Sequence, residues 1–186
     1  MKRLIIIANR LPIRAAYDDQ KKPTFLEADG GLVSAIKSYI EKGAHTYGEM
    51  LWAGSLEKQF QARFQEFKTQ QIDNQYEMEA IFIDRNLYNN YYNGFCNSVL
   101  WPLFHYFPSY VDMEQTTFAA YEQVNKIFAD KIAVIAQPDD TIWIHDYHLM
   151  LLPAMLRDKG LQNKIGFFLH IPFPSYELFR LLPKEW

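Results

Sequence analysis

Residues 4–8, Leu4-Ile5-Ile6-Ile7-Ala8, followed by the polar pair Asn9-Arg10, decide how this chain folds. A short, continuous, β-branched run is the signature of a parallel strand buried on both faces, since neither face can carry polar side chains. The polar pair marks the carboxyl end of that strand. Beyond it, Asn9 to Gly30 is polar, carries Pro12, Pro23 and a cluster of opposite charges, and reads as a long loop. After Gly30-Gly31 the residues Leu32, Ala35, Ile36, Tyr39 and Ile40 recur at helical spacing, which predicts a helix from the glycine pair to near Gly43.

Met50 to Gly54 and Ala80 to Ile83 read as further strands, and Phe60, Phe64 and Phe67 make Leu56 to Phe67 a short amphipathic helix between them. An unusually aromatic segment, Asn86 to Tyr110, precedes a long helix over Glu114 to Ala136, whose buried face is Phe118, Tyr121, Phe128, Ile132 and Ile135. Pro138-Asp139-Asp140 stops that helix. Thr141 to His145 is then a strand, Leu149 to Asp158 a helix, and Lys164 to His170 another buried strand; Ser175 caps a last helix that runs on to Trp186. Strands alternating with helices make βαβ units, hence an α/β fold with a mostly parallel sheet and helices on both faces.

Length and composition set the outer limits. With 186 residues the chain suits a single domain, since domains of ~100–200 residues are the usual unit. Apolar residues make up 49% of it, which excludes a disordered or collagen-like class. A net charge of −3 argues against a nucleic-acid partner, whose binders cluster Lys and Arg. Met1 to Ala8 holds two basic and then five apolar residues, too few for a signal-peptide core or a membrane span, so no membrane partner is expected. The single cysteine, Cys96, cannot form an intrachain disulfide and suits a cytoplasmic protein.

In parallel sheets of this kind ligands sit beyond the carboxyl ends of the strands. Asn9-Arg10, His145-Asp146 and His170 fall there. Arg10 offers a planar fork of donors to a phosphate or carboxylate, or else makes a surface ion pair. Gly30-Gly31 at a helix start allows a diphosphate to approach backbone N–H groups, or is only a tight turn; a third glycine at dinucleotide-fingerprint spacing is missing. The run Tyr88 to Phe95, with Tyr92, and the run Leu100 to Tyr106, with Trp101, suit the apolar faces and polar rims of sugars, although such runs are more often core. His145-Asp146-Tyr147-His148 lacks the second ligand cluster a metal needs, and neighbours on a strand face opposite ways. His170 is fixed between an apolar strand and the rigid Ile171-Pro172-Phe173-Pro174 turn, as a structural or a functional histidine.

Taken in order, ANRLP, ADGGL, LWAG, YYNGFCNSVLWPLFHY, IWIHDYHLMLLP and GFFLHIPFPS resemble the trehalose-6-phosphate synthase family, retaining glycosyltransferases of family 20. The likeness runs from Leu4 to Arg180. It implies a GT-B architecture of two Rossmann-like domains, in which residues 1–186 are the N-terminal, acceptor-binding half and the nucleotide-binding half lies beyond them. The implied activity is transfer of glucose from a nucleoside diphosphate glucose, by resemblance UDP-glucose, to glucose-6-phosphate, giving α,α-trehalose 6-phosphate.

By the same resemblance Arg10, Tyr92 and Trp101 hold the phosphate and ring of glucose-6-phosphate, and Trp52 belongs to the acceptor region. Asp146 binds acceptor hydroxyls, the Gly31 backbone meets the donor diphosphate, and His170 binds the donor glucose near the reacting carbon. Asp146 and His170 are thus the residues closest to the chemistry. No metal or cofactor is implied. Where the family pattern carries a second tryptophan, this chain has Ser55. Because Asp146 is engaged by the acceptor, a front-face route is expected rather than a covalent carboxylate intermediate. The 186 residues alone, read as an expression fragment, are expected to be inactive. A sibling synthase acting on another phosphorylated acceptor such as glycerol 3-phosphate, and a non-catalytic sugar-phosphate-binding module, are the alternatives; a homo-oligomer is compatible with either.

Overall fold

The computed structural model describes residues 2–43, 46–70 and 76–186. Its strands are β1 (Arg3–Arg10), β2 (Ile13–Tyr17), β3 (Pro23–Glu27), β4 (Glu49–Glu57), β5 (Glu77–Ile83), β6 (Thr141–His145) and β7 (Lys164–Phe168). Five of them form one parallel sheet in the order β5-β4-β1-β6-β7, with β1 at its centre. After β1 the chain builds outward through β4 and β5, then crosses back to place β6 and β7 on the other side. The crevice between the carboxyl ends of β1 and β6 is therefore the switch point at which such sheets take ligands.

The centre of the sheet follows from the β1 sequence. Ile5 and Ile7 point into a core shared with Leu51, Ala53, Ile142 and Ile144, while Leu4, Ile6 and Ala8 point into a second one with Met50 and Trp52. All five apolar residues are at most 2% exposed, so each full-sized side chain contributes about 1.5–3 kcal/mol of burial. Helices α1 (Gly31–Gly43) and α2 (Gln61–Gln70) cover the second core through Ile36, Ile40 and Phe64.

On the opposite face lie α3 (Arg85–Asn89), a π-helix over Asn90–Leu100, α4 (Trp101–Phe104), α5 (Gln115–Ile135) and α6 (Leu152–Asp158). Gly94 lets the π-helix press on α5, since a methyl group there would lie 2.7 Å from the Thr117 side chain. A short α7 (Tyr176–Phe179) follows β7. No described helix is long and apolar enough to cross a membrane.

At the amino ends of β1 and β6 the layers are bolted together. Arg3 Nη2 meets Asp140 Oδ2 at 2.6 Å and donates to the Ile135 carbonyl at 2.8 Å. Asn163 Nδ2 donates to the Gln137 and Asp140 carbonyls at 2.7 and 3.0 Å, tying in the start of β7.

Several sequence expectations need correction. The supposed loop over Asn9 to Gly30 contains an antiparallel hairpin of β2 and β3. Its turn is closed by Asp18 Oδ1, which accepts from the amides of Gln20 and Lys22, and by Lys21 at φ 58°, where a glycine or asparagine signal would be usual. Phe25 anchors it on Phe60, Phe64 and Phe67. β4 runs on to Glu57, so the helix expected from Leu56 begins only after it, as a 3-10 turn at Lys58–Phe60 leading into α2. Likewise Leu149 closes a 3-10 turn over Tyr147–Leu149 and α6 starts at Leu152. Within residues 1–186, β7 lies at the edge of the sheet, with Phe167 and Phe168 41% and 49% exposed. The last helix stops at Phe179; Ser175 stands at its N-cap position without a side-chain bond, and Trp186 stacks on Phe118 instead of continuing a helix.

Candidate functional site

The end of β1 is shaped by a register slip. Ile7 pairs with Ala53 and Arg10 with Ser55, so three steps along β1 match two along β4, the count of a β-bulge. Gly54 makes the slip feasible. A methyl group on it would sit 2.4 Å from the Arg10 carbonyl carbon and the Leu11 amide nitrogen, so only glycine allows the two backbones to meet. Ser55 Oγ donates to the Asn9 carbonyl and Trp52 Nε1 to the Arg10 carbonyl at 3.3 Å, which hold the bulged residues in place.

The bulge aims Asn9 and Arg10 at a tyrosine cluster. Asn9 Nδ2 and Arg10 Nε both donate to the Tyr88 hydroxyl, at 3.1 and 2.9 Å. The Arg10 guanidinium lies 4.7 Å from the Tyr92 ring centre and 5.7 Å from that of Tyr88, within cation–π range of both. Its two Nη groups make no hydrogen bond among the described residues, so the fork is open to an anion. Two cavities share Arg10, Glu57 and Tyr88. One of 230 Å³ reaches Arg14, Ser55 and Phe60, and one of 330 Å³ is rimmed by Arg85, Asn86, Asn89, Tyr92 and Asn93.

At the end of β6 the chain turns at Asp146, which has φ 76° and ψ 165°, a conformation costing a non-glycine residue about 1–3 kcal/mol. Surrounding bonds enforce it. The Asp146 amide donates to the Phe168 carbonyl at 2.7 Å, and its Oδ1 accepts from the amides of Tyr147 and His170 at 3.0 and 3.3 Å. Burial raises the Asp146 carboxyl above the ordinary aspartate range, with those two amides pulling the other way. Oδ2 makes no hydrogen bond among the described residues and is left for a ligand; His148 Nδ1, at 3.7 Å, is too distant for one.

His148 is neutral, because burial first and the Arg10 charge second push it down to about 3. It lies face to face with Tyr92, centroids 5.6 Å apart at 10°, and against Tyr147 at 4.0 Å. The loop that carries it is fixed from below. The Tyr121 hydroxyl donates to the Tyr147 carbonyl at 2.7 Å and accepts from the Met150 amide at 3.0 Å, while Asn125 Nδ2 donates to the His148 carbonyl at 3.2 Å.

Contacts therefore connect most of the residues anticipated from sequence. Arg10 lies on Tyr92, Tyr92 on His148, and His148 beside Asp146, which binds the His170 backbone. Trp101, 45% exposed, joins from the side through Tyr147 at 5.9 Å. Gly31 opens α1 after Gly30 at φ 147°, and the space above it is free. One turn on, Ala35 and Ile36 line a 160 Å³ cavity with Trp143, His145, Phe168 and His170, which brings the start of α1 near His170.

Trp52 is different. It is 0% exposed inside the core over α1 and α2, so its indole supports Arg10 from behind and does not face a ligand. Alternation explains this, since Met50, Trp52 and Leu56 share one face of β4. Sequence reasoning placed Asn9 and His145 at ligand-binding strand ends, Tyr88 in a sugar-suited run and His148 in a motif weighed for a metal, but gave none of the four a role in the site. The adjacency of Asn9 to Arg10 and of His145 and His148 to Asp146 was a usable signal; the spacing of Tyr88 and Tyr92 by one helical turn was another.

With this geometry in hand, comparison with known proteins is specific. Residues 2–185 match the family model described as Glycosyltransferase family 20. An alpha,alpha-trehalose-phosphate synthase [UDP-forming] of Yarrowia lipolytica is 39% identical over 190 residues, covering 98% of this chain and 39% of that protein. One from Aspergillus fumigatus is 42% identical over 187 residues, covering 97% of this chain and 35% of its own. Among solved structures, the Burkholderia xenovorans alpha,alpha-trehalose-phosphate synthase in complex with glucose-6-phosphate superposes with a TM-score of 0.74 at 30% identity, over 97% of this chain and 36% of that one. An E. coli structure bound with UDP-2-fluoro glucose gives 0.73 at 32% identity, over 98% and 36%. The chain thus spans well under half the length of these relatives, and over that span it belongs to glycosyltransferase family 20.

Proposed function

We propose that residues 1–186 form the N-terminal, acceptor-binding Rossmann-like half of a two-domain retaining glucosyltransferase. The enzyme transfers glucose from UDP-glucose to glucose-6-phosphate and forms α,α-trehalose 6-phosphate. The observation that carries this reading is the unbroken line of contacts from Arg10 through Tyr92 and His148 to Asp146 and His170, at the switch point of the sheet. The names of its relatives point the same way: they are UDP-forming trehalose-phosphate synthases, and two related structures hold glucose-6-phosphate and a UDP-glucose analogue.

In this reading the acceptor phosphate binds the free Nη groups of Arg10, a charge-assisted pairing that a neutral sugar cannot make. Tyr92 and the exposed ring of Trp101 flank the hexose, and Asp146 Oδ2 accepts its hydroxyl hydrogens. The donor diphosphate lies at the amino end of α1, by Gly31, where the helix dipole and unpaired N–H groups favour negative charge. His170 borders the transferred glucose. Asp146 serves the acceptor, so the leaving diphosphate takes up the acceptor proton on the same face and the α configuration is kept. The protein supplies orientation and fixed charges, and the second domain supplies the remaining diphosphate contacts. The buried, unpaired Cys96 fits a reducing cytosol as its location.

Kinetics of Arg10→Ala in the full-length enzyme test the assignment. The Michaelis constant for glucose-6-phosphate should rise at least about tenfold, the loss expected for a charged hydrogen bond of roughly 1.5–3 kcal/mol, with little change for the donor. An unchanged acceptor constant refutes the role.

A further inference from the structure

His145 has no part in the reading above, yet its position beside His170 is unlike that of a packing residue. It closes β6, is 1% exposed, and its ring lies between Trp143 at 4.3 Å and His170 at 5.2 Å. His145 Nδ1 is 2.9 Å from His170 Nε2, with the rings inclined at 21°. Two imidazole nitrogens at that separation share one proton, so one donates and the other accepts. The other nitrogen of His145, Nε2, is buried and has no hydrogen-bond partner.

That asymmetry selects the tautomer. If His145 carried its proton on Nε2, an N–H would be buried with nothing to receive it, and orphaned buried N–H groups are the rarer kind of violation. With the proton on Nδ1, an acceptor rather than a donor is left bare. Burial, with the neighbouring His170 adding to it, pushes His145 down to about 4, so it holds a single proton at neutral pH. The proton on Nδ1 then points at His170 Nε2, which must accept. His170, accepting on Nε2, then has its proton on Nδ1, a nitrogen with no hydrogen bond among the described residues.

We infer that His145 is a positioning residue: its Nδ1–H grips His170 Nε2, sets the ring orientation, and makes His170 Nδ1–H the group offered to the donor sugar. The inference rests on the reading of His170 as a donor-glucose contact. It adds the direction of the hydrogen bond, His170 as donor and a sugar or leaving-group oxygen as acceptor. It also explains a buried histidine at a strand end, where a leucine would pack at least as well.

The test uses the full-length enzyme carrying His145→Phe, His145→Asn and His170→Ala. Phenylalanine preserves the ring stack and removes the donor; asparagine places an amide N–H near the site of Nδ1. Removing a hydrogen-bond partner that orients a metal-bound histidine typically costs about 10–100-fold, and on the same scale His145→Phe should lower kcat by about tenfold. The acceptor Michaelis constant should stay within about twofold and His145→Asn should recover most of the loss, a pattern that general loosening of the fold would not produce.

Long-range 1H–15N correlation spectra of histidine-labelled enzyme supply a second readout, independent of turnover. His170 should appear protonated on Nδ1 and bare on Nε2. The opposite tautomer, or wild-type turnover in His145→Phe alongside a silent His170→Ala, overturns the positioning role alone. Full activity in His170→Ala overturns the underlying reading of the site and this inference with it.

Discussion

Replacing Gly54 by alanine tests how the fold delivers Arg10. The added methyl carbon would stand 2.4 Å from the Arg10 carbonyl carbon and Leu11 amide nitrogen and 2.7 Å from the Arg10 carbonyl oxygen. All three are backbone atoms, so no rotamer change relieves the clash. Restoring ordinary van der Waals separation requires the end of β1 to retreat by about 1 Å. Overpacking of this kind costs about 1–3 kcal/mol. At about 2–4 °C per kcal/mol for a chain of this size, the melting temperature should fall by several degrees.

The functional effect should be larger than the thermal one. Arg10 would leave its seat on Tyr88 and Tyr92, and a misplacement of about 1 Å can cost up to about 100-fold. In the full-length enzyme the acceptor Michaelis constant should therefore rise at least about tenfold at saturating donor. Thermal melts and initial rates with each substrate varied in turn measure both effects. A Gly54→Ala enzyme with the parent's melting temperature and acceptor constant would refute the argument that this glycine sets the position of Arg10.

Tyr88→Phe removes the oxygen that accepts from Asn9 and Arg10, and a loss of about 1 kcal/mol should raise the acceptor constant about fivefold with kcat nearly unchanged; an unaltered constant counts against it. Acid should destabilise the protein through two of its buried histidines: burial holds His145 at about 4 and His148 at about 3, below the ordinary 6.5. The unfolded chain then binds more protons across that window, so stability is intact above pH 6.5 and drains away as pH falls toward those values. His148→Phe should flatten the decline in urea midpoint between pH 6.5 and 4, and superimposable curves for the two proteins would rule the mechanism out.

The parallel sheet was legible because Leu4 to Ala8, Thr141 to His145 and the helical stripes between them follow simple periodicities that burial enforces. The hairpin was not legible, because its turn uses Lys21 at positive φ and an aspartate side chain, with no glycine to announce it. The exposure of β7 escaped for a different reason. An apolar run reports what a strand can bury, whereas what covers it depends on its neighbours, and among residues 1–186 β7 has only β6 beside it in the sheet.

Within the site, strand ends located Arg10, Asp146 and His170, and motif likeness added Tyr92 and Trp101. It could not tell that Trp52 turns inward, since facing is decided by the β4 register and the bulge beside Gly54. The aromatic run split as its two readings allowed. Tyr91 and Phe95 went to the core, Tyr92 lines a cavity beside Arg10, and Trp101 stays 45% exposed beside Tyr147.

The bolt of Arg3, Asp140 and Asn163 sits at the opposite rim of the sheet from Arg10 and Asp146. The ties that hold the layers together and the proposed acceptor contacts thus lie at opposite ends of the strands. Substitutions in the bolt should shorten the molecule's lifetime under heat while leaving the proposed acceptor contacts at the far rim in place.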